Sequence, residues 1–336
     1  MDRRKVLGLG VTAALAGMTS RVFAEDMNMA GMLSTDPTET YPLWPGTPPG
    51  GKGVHLEAKI VERSTETSVF HDRFVADIGR PLIQVYRPDN PDGSAVLLAP
   101  GGGYVRIVID KEGAETARRL NASGVTVFVL RYRLPAEGWA NGADVQWQDA
   151  QRAMRSIRSR APEFGIDSNR LGVLGFSAGG HVAAWLATRP NDRVYAPIDK
   201  IDKLDAKPAF AALMYPVITM GVGAHGGSRD NLLGASPSPE REAAYSCEKL
   251  VTDQTPPSFI ALAADDDTVP PMTNGVAMFA ALRAAKIPAE LHVFEKGGHG
   301  FGIRLAKGEP AAIWPELLLH WAYSHGWVRD PSAAPA

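Results

Sequence analysis

The 336-residue chain has a single cysteine, Cys247, so no intramolecular disulfide can form and no C-x-x-C pair exists for zinc or redox chemistry. A lone thiol needs a histidine partner before it acts as a nucleophile, and Cys247 reads instead as a small, semi-buried residue. The sequence has no H-E-x-x-H pair and no G-x-x-x-x-G-K-[ST] loop, which removes two common metal and phosphate sites. It also lacks an excess of either charge: 35 Lys and Arg stand against 37 Asp and Glu, a formal charge of -2, with no polybasic run. That balance argues against a nucleic-acid surface. What remains is ordinary globular composition, 45% hydrophobic and 21% charged. The length fits one large α/β domain or two small ones.

The N-terminus reads as an export signal. Asp2-Arg3-Arg4-Lys5 is a positive n-region, Val6 to Met18 is apolar and small, and Val22-Phe23-Ala24 offers a cleavage site before Glu25. The apolar run is too short to span a membrane comfortably, so no stable insertion is expected after processing. The Arg3-Arg4 pair resembles a twin-arginine signal; an ordinary Sec signal or an uncleaved anchor is the alternative. Cleavage after residue 24 removes four basic residues and one acidic, taking the formal charge to about -5. Export without disulfides suits a bacterial periplasm or exterior, where a large core supplies the stability.

Residues 25–53 are rich in Met, Pro, Gly and Thr, which excludes a regular helix or a central strand. Tyr41 and Trp44 favour an arm lying on the domain over a free linker. The main domain runs over 54–330. Strands are expected at 59–63, 69–75, 82–86, 95–99, 125–130, 171–174, 210–217, 258–263 and 290–294. Helices are expected at 112–121, 149–160, 178–188, 272–285 and 311–325. Residues 219–255 break the pattern with Gly, Ser, Pro and charge, and read as a cap-like insertion. Alternation of this kind predicts a mostly parallel sheet covered by helices on both faces, with ligands at the carboxyl ends of its strands.

Four unusual loops follow strand ends. Gly175-Phe176-Ser177-Ala178-Gly179 lies between an apolar strand and a helix, the setting in which G-x-S-x-G becomes a nucleophile elbow. A serine hydroxyl needs a base in hydrogen-bond reach, and the base needs an orienting partner. The chain order Ser, Asp, His fits Ser177, the run Asp265-Asp266-Asp267, and His299 in Gly297-Gly298-His299-Gly300-Phe301. Among the aspartates Asp266 is preferred, then Asp267, then Asp265; the others are expected to cap backbone amides or the next helix. Oxyanion donors are expected at the N–H groups of Ala178, Gly102 and Gly103, the last two in Pro100-Gly101-Gly102-Gly103-Tyr104. Tyr104 either stacks on a sugar ring or packs beneath the loop. His225, in the insertion, is a candidate substrate contact, and His181 on the elbow helix reads as structural. No metal ligands and no cofactor are expected.

With these motifs in hand, the chain resembles the α/β-hydrolase superfamily, and within it the bacterial acetyl-xylan-esterase-like carbohydrate esterases, labelled BD-FAE or xylanase-like. The matching stretches include Leu43-Trp44-Pro45-Gly46, Asp149-Ala150-Gln151-Arg152-Ala153, Asn231-Leu232-Leu233-Gly234 and Asp266 to Pro270, beside the elbow and the histidine loop. The family pattern places its acid four residues before the proline of the V-P pair, which is Asp266. Pro100 stands where lipase-like relatives have histidine before the glycines, so their oxyanion detail transfers only loosely. The resemblance implies a secreted serine esterase acting on an acylated carbohydrate, with acetyl as the acyl group and xylan or its oligomers as the polymer. A feruloyl esterase, a peptidase of the prolyl-oligopeptidase type and a non-catalytic binding protein on the same scaffold are the other readings. The peptidase typically carries a large extra N-terminal domain, which residues 25–60 are too short to make. Glycoside hydrolysis needs two carboxylates flanking the bond, and the motifs do not describe such a pair. Oligomeric state is not written in the sequence.

Overall fold

The computed structural model describes residues 37–331; the signal-like residues 1–24 and the first part of the arm lie outside them. Eight strands form the main sheet. In spatial order they are β1 (Glu39–Pro42), β4 (Leu82–Tyr86), β7 (Thr126–Arg131), β5 (Ala95–Ala99), β8 (Leu171–Phe176), β9 (Ala211–Met214), β10 (Ser258–Ala263) and β11 (Ala289–Phe294). From β7 to β11 every pairing is parallel, while β4 pairs antiparallel to β7 and β1 antiparallel to β4. A separate three-stranded antiparallel sheet joins β2 (Lys59–Glu62), β3 (Arg73–Ala76) and β6 (Ile107–Val108). The apolar runs β5, β8 and β10 are buried at every residue, as strands covered on both faces must be. The chain goes outward from β5 to β7 and returns to β8 on the other side of β5. Strand order therefore reverses at β5, and the loops after β5 and β8 flank that switch point.

The arm contributes more than cover. Its described part adds β1 as an edge strand, pairing Glu39 with Val85 and Pro42 with Leu82. Beyond it, Trp44 Nε1–H donates to Asp149 Oδ1 at 2.8 Å, and Arg152 Nε donates to the Leu43 carbonyl at 3.0 Å. Asp149 also pairs with Arg133 at 2.9 Å, both side chains fully buried. The Leu43-Trp44 and Asp149-to-Ala153 stretches are thus two halves of one buried polar contact. Each charge there has its partner, without which burial would cost several kcal/mol.

Local boundaries differ from expectation for identifiable reasons. Residues 69–72 are not strand: the Val69 and Phe70 amides turn back to the Glu66 carbonyl, and β3 starts at Arg73. The strand expected at 210–217 stops at Met214 because Tyr215 turns to φ 35°. Two helices open with a wide π-type turn, at Asp110–Ala114 and Met272–Val276, before their α-helical parts at Glu115–Asn121 and Ala277–Ala284. The insertion at 219–255 folds as helices Gly226–Leu233 and Pro239–Ala244 followed by a single turn at Cys247–Lys249. Leu232, Leu233 and Cys247 anchor it to the core. Among the described residues, no helix is long and apolar enough to cross a membrane.

Candidate active site

Ser177 sits where β8 turns into the helix Ser177–Thr188, with φ at 51°, a left-handed conformation that costs a non-glycine residue energy. The glycines around it are there for contact. A Cβ on Gly175 would stand 2.2 Å from the Gly179 carbonyl oxygen, and one on Gly179 would stand 2.1 Å from that of Ala99. Strand, turn and helix can therefore meet only if both positions lack a side chain. The turn leaves Ala178 in the first turn of the helix, where backbone N–H groups have no partner within the helix. Ser177 itself is only 7% exposed, at the wall of an open cavity of about 420 Å³.

His299 and Asp266 complete the line. Ser177 Oγ lies 2.8 Å from His299 Nε2, and His299 Nδ1 lies 2.7 Å from Asp266 Oδ2. A carboxylate oxygen accepts, so Nδ1 carries the proton and Nε2 presents its lone pair to the serine. Asp266 Oδ1 accepts the N–H groups of Thr268 and Val269, at 2.9 and 2.8 Å, which fixes the carboxylate from behind. Asp265 does what its neighbour was expected to leave to it: its Oδ1 accepts the Gly298 amide at 2.8 Å and holds the histidine loop. Asp267 is exposed.

Gly102 and Gly103 line the cavity beside Ser177, at φ 139° and 66°. Three residues to which the sequence assigned no role hold this loop and the histidine loop in register. Glu112, buried, accepts the Gly101 N–H on Oε2 at 2.8 Å and the Tyr215 hydroxyl on Oε1 at 2.9 Å. The same Tyr215 oxygen accepts the Gly302 N–H at 3.0 Å, and its ring stands edge-on to His299 at 5.2 Å. From the insertion, Asn231 Nδ2 donates to the Gly103 carbonyl at 2.9 Å. No local pattern announces Glu112 or Tyr215, because the bonds that tie them to each other and to the histidine loop span more than eighty residues. Asn231 had a signal, the Asn231-to-Gly234 stretch, but not its role.

Tyr104 must be corrected as a substrate contact. It is 0% exposed, and its hydroxyl meets His181 Nδ1 at 2.6 Å, so it packs beneath the loop. Its φ of 64° turns the side chain inward. His181 is structural: Nε2–H donates to the Tyr245 carbonyl at 2.7 Å, leaving Nδ1 to accept from Tyr104. Burial lowers its pKa to about 4. His225 does line the cavity, and its Nδ1 caps the helix Gly226–Leu233 by accepting the Ser228 amide at 3.2 Å. Burial, then the nearby His299, pushes its pKa down. Among the described residues, no group of three or more His, Cys, Asp and Glu side chains is arranged to hold a metal.

Comparison with known proteins follows the same lines. Residues 83–282 match the BD-FAE family. The chain belongs to that family. An acetylxylan esterase of Xylanibacter ruminicola is 33% identical over 232 residues, 68% of this chain and 45% of that protein. Endo-1,4-beta-xylanase B of Butyrivibrio fibrisolvens is 36% identical over 220 residues, 64% of this chain and 33% of that protein. The chain thus spans less than half the length of either relative. A solved structure, the acetyl ester-xyloside bifunctional hydrolase of Caldicellulosiruptor lactoaceticus, superposes with a TM-score of 0.71 at 29% identity, over 87% of this chain and 98% of that one. This BD-FAE-family chain is an acetylxylan-esterase-like α/β-hydrolase, built on the mostly parallel sheet that its β-strand and helix pattern predicted.

Proposed function

We propose that the protein is a serine carboxylesterase that removes short acyl groups, acetyl above all, from a plant polysaccharide such as xylan or from its oligosaccharides. The observation that carries this reading is the unbroken line Ser177 Oγ, His299 Nε2, His299 Nδ1, Asp266 Oδ2, opening on a cavity. In the acylation step His299 Nε2 takes the Ser177 proton while Oγ bonds to the ester carbonyl carbon. The carbonyl oxygen gathers negative charge toward the N–H groups of Ala178, Gly102 and Gly103. His299 then gives its proton to the departing sugar oxygen as the ester C–O bond breaks. Water, deprotonated by the same nitrogen, attacks the acyl-serine; the acyl C–Oγ bond breaks, and the proton returns to Oγ. Asp266 stays ionised and holds the imidazolium that forms at each transfer.

The cavity favours this reading over the others. No Phe, Tyr or Trp is among its lining residues, so it offers no phenyl or indole face to a feruloyl group. Glu112 is its one carboxylate, and both oxygens are engaged, so a pair for glycoside hydrolysis is not supplied. The intact Ser-His-Asp line counts against a scaffold that only binds. Export through residues 1–24 to the periplasm or exterior belongs to the same proposal, since the polymer lies outside the cell.

The test is a substrate panel: acetate release from acetylated xylan beside hydrolysis of p-nitrophenyl acetate and methyl ferulate. Xylan deacetylation with little ferulate turnover is expected. Activity on the small ester alone would remove the polysaccharide, and preference for methyl ferulate would replace acetyl by feruloyl.

A further inference from the structure

The triad accounts for the chemistry of the cavity but not for its charge. Arg63, Arg106 and Lys111 line it, against the single carboxylate of Glu112. Two of these cations have local partners. Arg63 pairs with Asp72 at 2.9 Å, and the Lys111 ammonium donates to the Gly300 carbonyl at 2.6 Å. Arg106 differs from both. Among the described residues it makes no ion pair and no hydrogen bond, and its Nε is buried with no acceptor. Its guanidinium rests over the Phe74 ring at 5.3 Å. The side chain begins beside the oxyanion loop: a Cβ built on Gly102 would stand 3.0 Å from Arg106 Cγ.

A partly dehydrated guanidinium without a counter-ion is an uncompensated cost, and an anion delivered by a ligand removes it. The planar donor fork suits a carboxylate. We propose that the cavity takes esters carrying a carboxylate close to the scissile bond, with Arg106 binding that carboxylate. Under the polysaccharide reading above, on which the sugar assignment rests, the carboxylate belongs to an acidic branch sugar next to the acetylated residue. A carboxylate on the acyl side has the same chemistry, and the two sources separate by experiment.

The experiment compares kcat/KM on four esters, with wild type, Arg106→Gln and Arg106→Lys. They are an acetylated xylo-oligosaccharide with one glucuronic acid branch, its neutral counterpart, p-nitrophenyl acetate and p-nitrophenyl hemisuccinate. Thermal melting confirms that each variant is folded. The wild type is expected to prefer the acidic oligosaccharide about tenfold at low salt, as one charge-assisted contact allows. That ratio should shrink as salt rises, collapse in Arg106→Gln and return in part with Arg106→Lys. A preference for the hemisuccinate instead supports the anion site and moves it to the acyl side. No acid preference in the wild type, or one that survives Arg106→Gln, overturns the proposal. If p-nitrophenyl acetate is cleaved but neither oligosaccharide is, the polysaccharide reading has failed and the anion site is judged separately. Salt-sensitive inhibition of p-nitrophenyl acetate turnover by glucuronate but not glucose, lost in Arg106→Gln, then supports it; equal or absent inhibition overturns it.

Discussion

Three adjacent aspartates show how finely the site discriminates between like residues. Asp266 meets His299 at 2.7 Å, Asp265 accepts the Gly298 amide, and Asp267 faces solvent. In the proposed mechanism the acid holds the imidazole with its proton on Nδ1 and stabilises the cation that forms. An amide at this position can present N–H to Nδ1 and favour the wrong tautomer. Asp266→Asn is therefore expected to lower kcat/KM on p-nitrophenyl acetate by about 10³- to 10⁴-fold. Asp265→Asn loosens one loop contact and Asp267→Asn removes an exposed charge, so each should stay within about tenfold of wild type. Steady-state kinetics of the three variants checks the order; an equal loss in all three would mean that the cluster, not one acid, does the work.

At the scale of elements, the site is a set of post-strand loops tied to one another from behind. Glu112 reaches the glycine loop and, through Tyr215, the histidine loop; Asn231 reaches the glycine loop from the insertion. The insertion thus helps to hold the glycine loop as well as forming a wall of the cavity. Asn231→Ala releases the Gly103 carbonyl, so it should lower kcat by roughly ten- to a hundredfold while changing KM little. A rise in KM with kcat intact would give Asn231 to substrate binding instead. The elbow and the histidine loop were legible in the sequence because their information is local: glycines at fixed offsets, after an apolar run. Glu112 and Tyr215 were not, since a buried carboxylate is recognisable only by what it meets across the fold. Tyr104 stood between two readings because its glycine-rich setting suggests an open loop; with φ at 64° and the ring buried, packing beneath the loop is the one that holds.

At the scale of the whole molecule, long-range polar ties join the described part of the arm, the sheet and the insertion. Trp44, Arg133, Asp149 and Arg152 knit the arm to the helix Val145–Ser159, which is why motifs more than a hundred residues apart in sequence belong together. The sequence disclosed the sheet through its fully buried runs, but β1 was hidden within a proline-rich arm, and only its pairing with β4 makes it a strand. On the other side, Tyr104, His181 and Tyr245 link the glycine loop, the elbow helix and the insertion. His181 is buried neutral, with its pKa lowered from 6.5 to about 4. Between those values the unfolded chain binds a proton that the folded chain refuses, so stability falls as pH drops through that window. The contribution is up to about 1.4 kcal/mol per pH unit. Urea unfolding at pH values across the window should show this slope in the wild type and a shallower one in His181→Gln. Equal slopes would show that His181 titrates alike in both states.

The central claim is that Ser177 is the nucleophile and His299 its base. Its most direct test is intact-mass spectrometry after reaction with a fluorophosphonate, followed by peptide mapping. A single adduct on Ser177, absent from Ser177→Ala and formed far more slowly by His299→Ala, is the expected result. An adduct on another residue, or labelling of Ser177 that does not depend on His299, would contradict the account.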